Sequence, residues 1–464
     1  MLPELLMPAG DLFKAYTAFR YGADAIYCGC AMFSLRTREN KITENDIAEI
    51  IDFARKNDKK VYVTVNAFPH QPLIKALEKH LQFLETVKPD GIIFADLGVL
   101  TLADEHAPSV PKHLSVQTST VNIPAIKMWQ KLGVSRIILA REMSVREAAT
   151  IHKHVPEMEL EYFVHGAVCM AYSGRCLLSS FTGGRDANCG SCNHTCRWNY
   201  RVFDEDGREV DVSPQETPTP YQGLSSDEKK SAENCSAEKQ AKGLHDFEQV
   251  NFAEEEQRPG EIIPIEEDFH GTHIMSSKDM CMIEALAEIR EAGICSLKVE
   301  GRNKTAYYVA TIARAYRQAL DDLKAKKPFD EHLWREVYAT ANRGFFPGFL
   351  HGKPREGSMQ YNANRSTSEK EFSAIIESVE SDGKIKITVK NRIKKNAELE
   401  LVMPHMEDDI IFSAESLWFG EKEVAILHPG DTNKAAKIKP SVDMSDYNLN
   451  NIFIRQKTQD DMFL

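Results

Sequence analysis

Eight short apolar runs, spaced by longer amphipathic ones, constrain the fold of this chain more than any other feature. Residues 4–9 (ELLMPA), 25–29 (AIYCG), 60–67 (KVYVTVNA), 91–96 (GIIFAD), 113–118 (HLSVQT), 136–140 (RIILA), 159–165 (ELEYFVH) and 296–300 (SLKVE) are the strand candidates. They are near-continuously apolar rather than alternating, as strands are in a parallel sheet whose outer face is covered by helices. Helical periodicity separates them, as at residues 44–56, 73–87, 145–154 and 305–323, with Ser, Thr, Asn or Pro supplying start signals. Eight β/α units in one run predict an α/β fold of the (β/α)8 TIM-like barrel type over residues 1–330. A doubly wound open sheet is the alternative, because closure is not written in a one-dimensional pattern.

In such a barrel the C-terminal strand ends gather on one face, where active sites are built. Here those ends supply Asn66, Asp96, Gln117, Glu142, His165, Lys298, Glu300 and Arg302. Any one of them is explained as well by tying down a loop. Together they form a candidate site, with His165, Lys298, Glu300 and Arg302 as catalytic candidates and Asn66, Gln117 and Glu142 as substrate-binding candidates.

After a connector at residues 331–370 the periodicity changes. Residues 372–380, 384–390, 398–403, 410–413 and 424–427 read as short alternating strands divided by Asp-Gly, Asn and Pro-Gly turns, which predicts a small all-β barrel over residues 371–464. Between two of these strands lies a basic loop, KNRIKK at 390–395. Exposed lysines are usually no more than a solvated surface; contact with RNA is the sharper reading of this loop.

The net charge of -12 speaks against a nucleic-acid partner only until it is located. Residues 204–268 hold 19 Asp and Glu against 6 Lys and Arg, leaving 50 acidic and 51 basic residues elsewhere. One acidic segment thus produces the apparent acidity, and bulk charge neither supports nor excludes RNA. The Ser-, Glu- and Lys-rich centre of that segment lacks the apolar residues to fold alone and reads as a mobile insertion, with hairpin-like flanks. No basic leader followed by an apolar run and no membrane-length apolar segment occurs, so a cytoplasmic protein without a membrane partner is expected.

In that reducing setting clustered cysteines read as ligands or redox groups rather than disulfides. Five of the ten cysteines, Cys169, Cys176, Cys189, Cys192 and Cys196, fall directly after the seventh predicted strand. Structural zinc wants two close pairs, and a nucleophilic thiol leaves four of the five unexplained. A 4Fe-4S cluster accepts four thiolates on loose loops and accounts for most of them, although spacing does not say which one is spare. Cys28, Cys30, Cys281 and Cys295 sit in apolar or amphipathic surroundings and read as small core residues. No HExxH, GxSxG, GxGxxG or GxxxxGK[ST] motif occurs in a suitable context, which removes the common protease, dinucleotide and nucleotide-triphosphate readings.

Residues 161–179, EYFVHGAVCMAYSGRCLLS, resemble the signature of the peptidase U32 family. With MPAGDLFKAYTAFRYGADAIYCG, LSVQTSTVN, RPGEIIPIEED and SLKVEGR, the resemblance runs from residue 3 to residue 316 and is closest to the tRNA-hydroxylating branch. It implies a 4Fe-4S cluster on Cys169, Cys176, Cys192 and Cys196, with Cys189 an addition, and tRNA as partner. It further implies prephenate-dependent formation of 5-hydroxyuridine at the wobble position of tRNA. A small anion such as prephenate or a phosphate would then bind near His165, Lys298 and Arg302. A peptidase, as the family name asserts, and a tRNA-binding scaffold for a separate oxygenase are the competing functional classes.

Overall fold

The computed structural model describes residues 2–35, 41–168, 277–352, 367–429, 436–444 and 447–458, and the backbone of 251–254, 262–268 and 271–273. The chain divides into two units, residues 194–276 with 359–364 forming the smaller. In the larger unit the strands β1 (Glu4–Pro8), β2 (Ala25–Cys28), β3 (Lys60–Val65), β4 (Gly91–Phe94), β5 (Lys112–Leu114), β6 (Val134–Ile138) and β7 (Glu159–Gly166) pair in parallel in chain order. The smaller unit holds an antiparallel sheet of β8 (Asn251–Glu254), β9 (Ile262–Asp268) and β10 (Gly271–His273). Of the two hairpin-like flanks, residues 258–268 contribute β9, while residues 201–210 and the acidic centre lie outside the described residues.

Back in the larger unit, β11 (Asp279–Cys281) runs antiparallel to the end of β7. The strand β12 (Ser296–Val299) then lies between β7 and β1, pairing Leu297 with both Tyr162 and Leu5. That double pairing closes an eight-stranded parallel barrel among the described residues and rules out the open sheet.

Helices cover the barrel: α1 (Leu12–Arg20), α2 (Glu44–Lys56), α3 (Ile74–Val87), α4 (Leu97–His106), α5 (Ile123–Lys131), α6 (Val145–His154), α7 (Leu286–Glu291) and α8 (Ala306–Lys324). Six of the eight starts are set by short polar side chains that accept orphan backbone N–H groups: Asp11, Thr43, Asp96, Asn122, Ser144 and Thr305, each such cap contributing about 1 kcal/mol. Asp96 is thus spent on α4, accepting from Gly98 and Val99. The fifth strand is shorter than its sequence run, because Val116–Thr118 turns into a 3-10 helix capped by Ser115.

A ninth helix, α9 (His332–Tyr338), and β13 (Phe345–Phe346) follow. The C-terminal strands are β14 (Lys370–Val379), β15 (Ile385–Val389), β16 (Ile393–Lys394), β17 (Glu398–Val402), β18 (Ile410–Phe419), β19 (Lys422–Val424), β20 (Ile426–Leu427), β21 (Ala436–Pro440) and β22 (Phe453–Lys457). Six of them, in the order β17-β22-β14-β15-β21-β18, close into an antiparallel barrel through a β17–β18 pair. The run read as 410–413 is one long strand, and β21 and β22 were not anticipated.

This small barrel is bound to the large one by buried charge. Arg314 of α8 donates to Glu336 of α9 and to Asp409, while Arg455 of β22 donates to both oxygens of Glu336 and to Glu400. Glu336 thereby serves two almost fully buried guanidinium groups. Tyr21 donates to the Val402 carbonyl at 2.6 Å, and Tyr307 stacks flat on Phe372 with centroids 4.9 Å apart.

Candidate functional site at the barrel mouth

The inside of a (β/α)8 barrel is ordinarily packed with branched apolar side chains. Here it is ionic. Strand alternation turns Glu4, Tyr27, Tyr62, Thr64, His113, Arg136, Glu161, Phe163 and Lys298 inward, and the contacts prove it, since Glu4 on β1 meets Arg136 on β6 across the axis at 2.5 Å. Arg136 also reaches Glu159 at 2.7 Å and Glu161 at 3.3 Å, and Tyr62 donates to Glu4 at 2.9 Å. Burial alone raises the Glu4 carboxyl, but Arg136 and Lys60 more than offset it and hold the pKa below the usual range. His113 fits beside this network because Gly91 has no side chain: a Cβ there would lie 2.6 Å from the imidazole. Burial and the nearby cations keep that imidazole neutral.

One layer nearer the mouth, Lys298 donates to Glu161 at 2.7 Å, and the carboxylate is wholly buried. The Lys298 ammonium lies over the Tyr27 ring, 4.0 Å from its centroid, and 5.7 Å from that of Phe163. Burial lowers its pKa, and Glu161 only partly restores it, with Arg302 and Arg136 pushing the same way as burial. Arg141, just past β6, covers the Phe163 ring at 4.0 Å. Arg302 donates to the Ser34 hydroxyl at 2.5 Å and to that of Thr64 at 3.2 Å, 5.7 Å from the Tyr27 ring. This seat requires Gly29, where a Cβ would stand 2.3 Å from the Thr64 hydroxyl. The floor of the mouth is therefore three cations on two aromatic rings, an arrangement that attracts anions and planar groups.

Residues 10–360 match the profile of Peptidase family U32. The chain belongs to the U32 family. It is 39% identical over 434 residues, covering 92% of both chains, to the protein of Escherichia coli strain K12 named tRNA hydroxylation protein P. It is 32% identical to tRNA hydroxylation protein P1 of Bacillus subtilis strain 168, over 92% of this chain and 90% of that one. A 23S rRNA 5-hydroxycytidine synthase of Escherichia coli strain K12 is 30% identical over 68% of this chain and 39% of its own length.

In this U32 chain the structure brings together some of the residues expected from sequence and separates others. Lys298 and Arg302 share the floor around Tyr27. Glu300 is buried beside them, its carbonyl accepting from Tyr308 at 2.8 Å and its side chain meeting Gly166, whose φ of +110° suits glycine alone. His165 is enclosed by Tyr308, Tyr316 and Phe345, its Nδ1 3.3 Å from the Tyr316 hydroxyl. Burial pushes its pKa down to about 3, so it works as a neutral imidazole. Asn66 and Gln117 bind each other: the Asn66 amide donates to Gln117 Oε1 at 2.7 Å, and Gln117 returns a bond to the Asn66 carbonyl at 3.0 Å. Leu35 and Ser115 add bonds to these same amides, so the pair fastens three mouth loops. Glu142 is half-buried.

Cys169, Cys176, Cys189, Cys192 and Cys196 lie outside the described residues. The chain leaves the described barrel at Val168, and Ser277, where it resumes, donates to the Val168 carbonyl at 3.1 Å. Among the described residues no group of three or more His, Cys, Asp or Glu side chains is placed to hold a metal ion. Cys28 and Cys281 are buried, with thiols pushed by burial up to about 12; Cys30 and Cys295 are half-buried. No described helix is long and apolar enough to cross a membrane. Sequence reasoning missed Glu161, Arg136, Tyr27, Phe163 and Arg141. The acidic positions of ELEYFVH, alternating through an apolar strand, were the available signal for the first of these.

Proposed function

We propose that this chain acts in the hydroxylation of tRNA, forming 5-hydroxyuridine at the wobble position with prephenate as a required metabolite. The observation that carries the reading is near-full-length similarity, 39% identity over 92% of both chains, to a protein named for tRNA hydroxylation. A second relative named for 5-hydroxycytidine synthesis in 23S rRNA points to the same class of base chemistry.

Cys169, Cys176, Cys192 and Cys196 offer four soft thiolates, the donor set that a 4Fe-4S cluster takes. Held there, the cluster would supply one-electron transfer. The described residues would do the rest. Arg302, Lys298 and Arg141 would neutralise and orient the carboxylates of a small anion over Tyr27 and Phe163. Glu161 would keep the Lys298 ammonium charged for that purpose. His165, neutral at physiological pH, would accept or donate a hydrogen bond without bringing a competing positive charge.

The test is nucleoside mass spectrometry of tRNA from a deletion strain. Loss of 5-hydroxyuridine, restored by the wild-type gene but not by a variant with the four cysteines changed to serine, is the expected result. Hydroxylation that persists in the deletion strain, or full restoration by the serine variant, would overturn the reading. Protease activity that survives loss of those cysteines would favour the peptidase class instead.

A further inference from the structure

The cations of the C-terminal barrel are distributed unevenly. Lys370, Lys386, Lys395 and Lys437 each pair with a glutamate at 2.7–3.0 Å, and Lys384 pairs with Asp382. Lys390, Arg392 and Lys394, three cations within five residues, make no ion pair among the described residues. Lys390 and Arg392 are exposed, and Lys394 is half-exposed. Ile393 between the last two is fully buried, so strand alternation turns Arg392 and Lys394 together toward solvent.

This ribbon is held in shape. Lys390 and Asn391 donate their amides to the Ser373 carbonyl, Asn391 Nδ2 donates to the Phe372 carbonyl at 2.8 Å, and Gln456 Nε2 donates to the Arg392 carbonyl at 2.9 Å. Ile393 and Lys394 then pair with Leu427 and Ile426. Cations on a fixed backbone lose little entropy when they meet a partner.

Its place in the fold supplies the partner. Phe372, to which the ribbon is tied, stacks on Tyr307 in the first turn of α8. Helices that follow barrel strands begin on the mouth face, so the root of the ribbon lies at the mouth end of the barrel. A pre-shaped, unneutralised basic edge beside a cationic mouth, on a chain of net charge -12, is selective for a polyanion that must reach that mouth.

We propose that Lys390, Arg392 and Lys394 grip the phosphate backbone of the RNA whose base enters the barrel mouth. The inference rests on the tRNA reading above and adds to it the surface that holds the nucleic acid. Contacts of this kind bind without reading sequence and are strongly salt-dependent, each phosphate contact adding roughly 0.7–0.9 to the slope of log K against log salt.

The experiment measures binding of the full chain to an unmodified tRNA transcript by fluorescence anisotropy across a salt series. It compares wild type with a Lys390→Ala, Arg392→Ala, Lys394→Ala variant and with a Lys384→Ala, Lys386→Ala, Lys437→Ala control that removes paired lysines. The expected result is a slope lower by about 2–3 and affinity down at least about tenfold at low salt for the first variant only, with an unchanged circular dichroism spectrum. Equal slopes for wild type and the first variant, or an equal loss in the control, overturn the proposal. A wild-type chain that binds no tRNA overturns it too; the 5-hydroxyuridine content of the deletion strain then decides the functional reading separately.

Discussion

Changing Glu161 to glutamine keeps the side chain's shape and removes the charge on which Lys298 depends. The carboxylate is wholly buried and accepts from Lys298 at 2.7 Å and from Arg136 at 3.3 Å. Arg136 retains Glu4 and Glu159; Lys298 makes no other ion pair among the described residues and is left facing Arg302 and Arg136. Removing one partner of a buried ion pair costs about 3–5 kcal/mol. The cost has a defined pH dependence. Lys298 already has a folded pKa below its ordinary value, and losing Glu161 lowers it further. Between that folded value and the ordinary lysine value the unfolded chain binds more protons than the folded one, so stability rises with pH. Between the variant's folded value and the wild type's, only the variant gains in this way, so its deficit relative to wild type should shrink by about 1.4 kcal/mol per pH unit. Urea unfolding of wild type, Glu161→Gln, Lys298→Met and the double variant at pH 7 and pH 9 measures both effects. The double variant should recover much of the loss, because it buries no unpaired charge. Additive single losses, or a deficit that grows from pH 7 to pH 9, would refute the account of the barrel interior.

Two further outcomes follow from the same physics. Glu336→Gln should cost about 3–5 kcal/mol, since it strips a shared carboxylate from both Arg314 and Arg455; limited proteolysis should then release the C-terminal barrel faster than from wild type. His165 should remain neutral in nitrogen-15 NMR spectra from pH 8 down to pH 5, because its pKa is pushed down to about 3. The unfolded histidine takes up a proton in that range and the folded one does not, so His165 contributes stability that is lost at about 1.4 kcal/mol per unit as pH falls below its ordinary value.

The sequence by itself determined the local structure. Apolar runs of strand length read as buried strands, and Thr43, Ser144 and Thr305 announced the helices they cap, because both signals act between residues a few positions apart. The cysteine pattern and the U32 signature were also legible there, as chemistry carried by residue type and spacing. Tertiary structure decided what depends on residues far apart in the chain. Closure came from β12 joining β7 to β1, across the long excursion after Val168. Asn66 and Gln117, 51 positions apart, turned out to fasten each other, and Asp96 was spent on a helix start.

The charged interior was hidden for the same reason. Glu4 at the start of an apolar run looks like a solvated strand end until β6 places Arg136 opposite it. Lys298 and Arg302 were visible as polar strand ends, whereas Tyr27 and Phe163 read as ordinary core, because only the closed barrel stacks them beneath those cations. Periodicity reports which face of a strand is buried; it does not report which other strands share the space, and that sharing is what makes the floor of this mouth cationic.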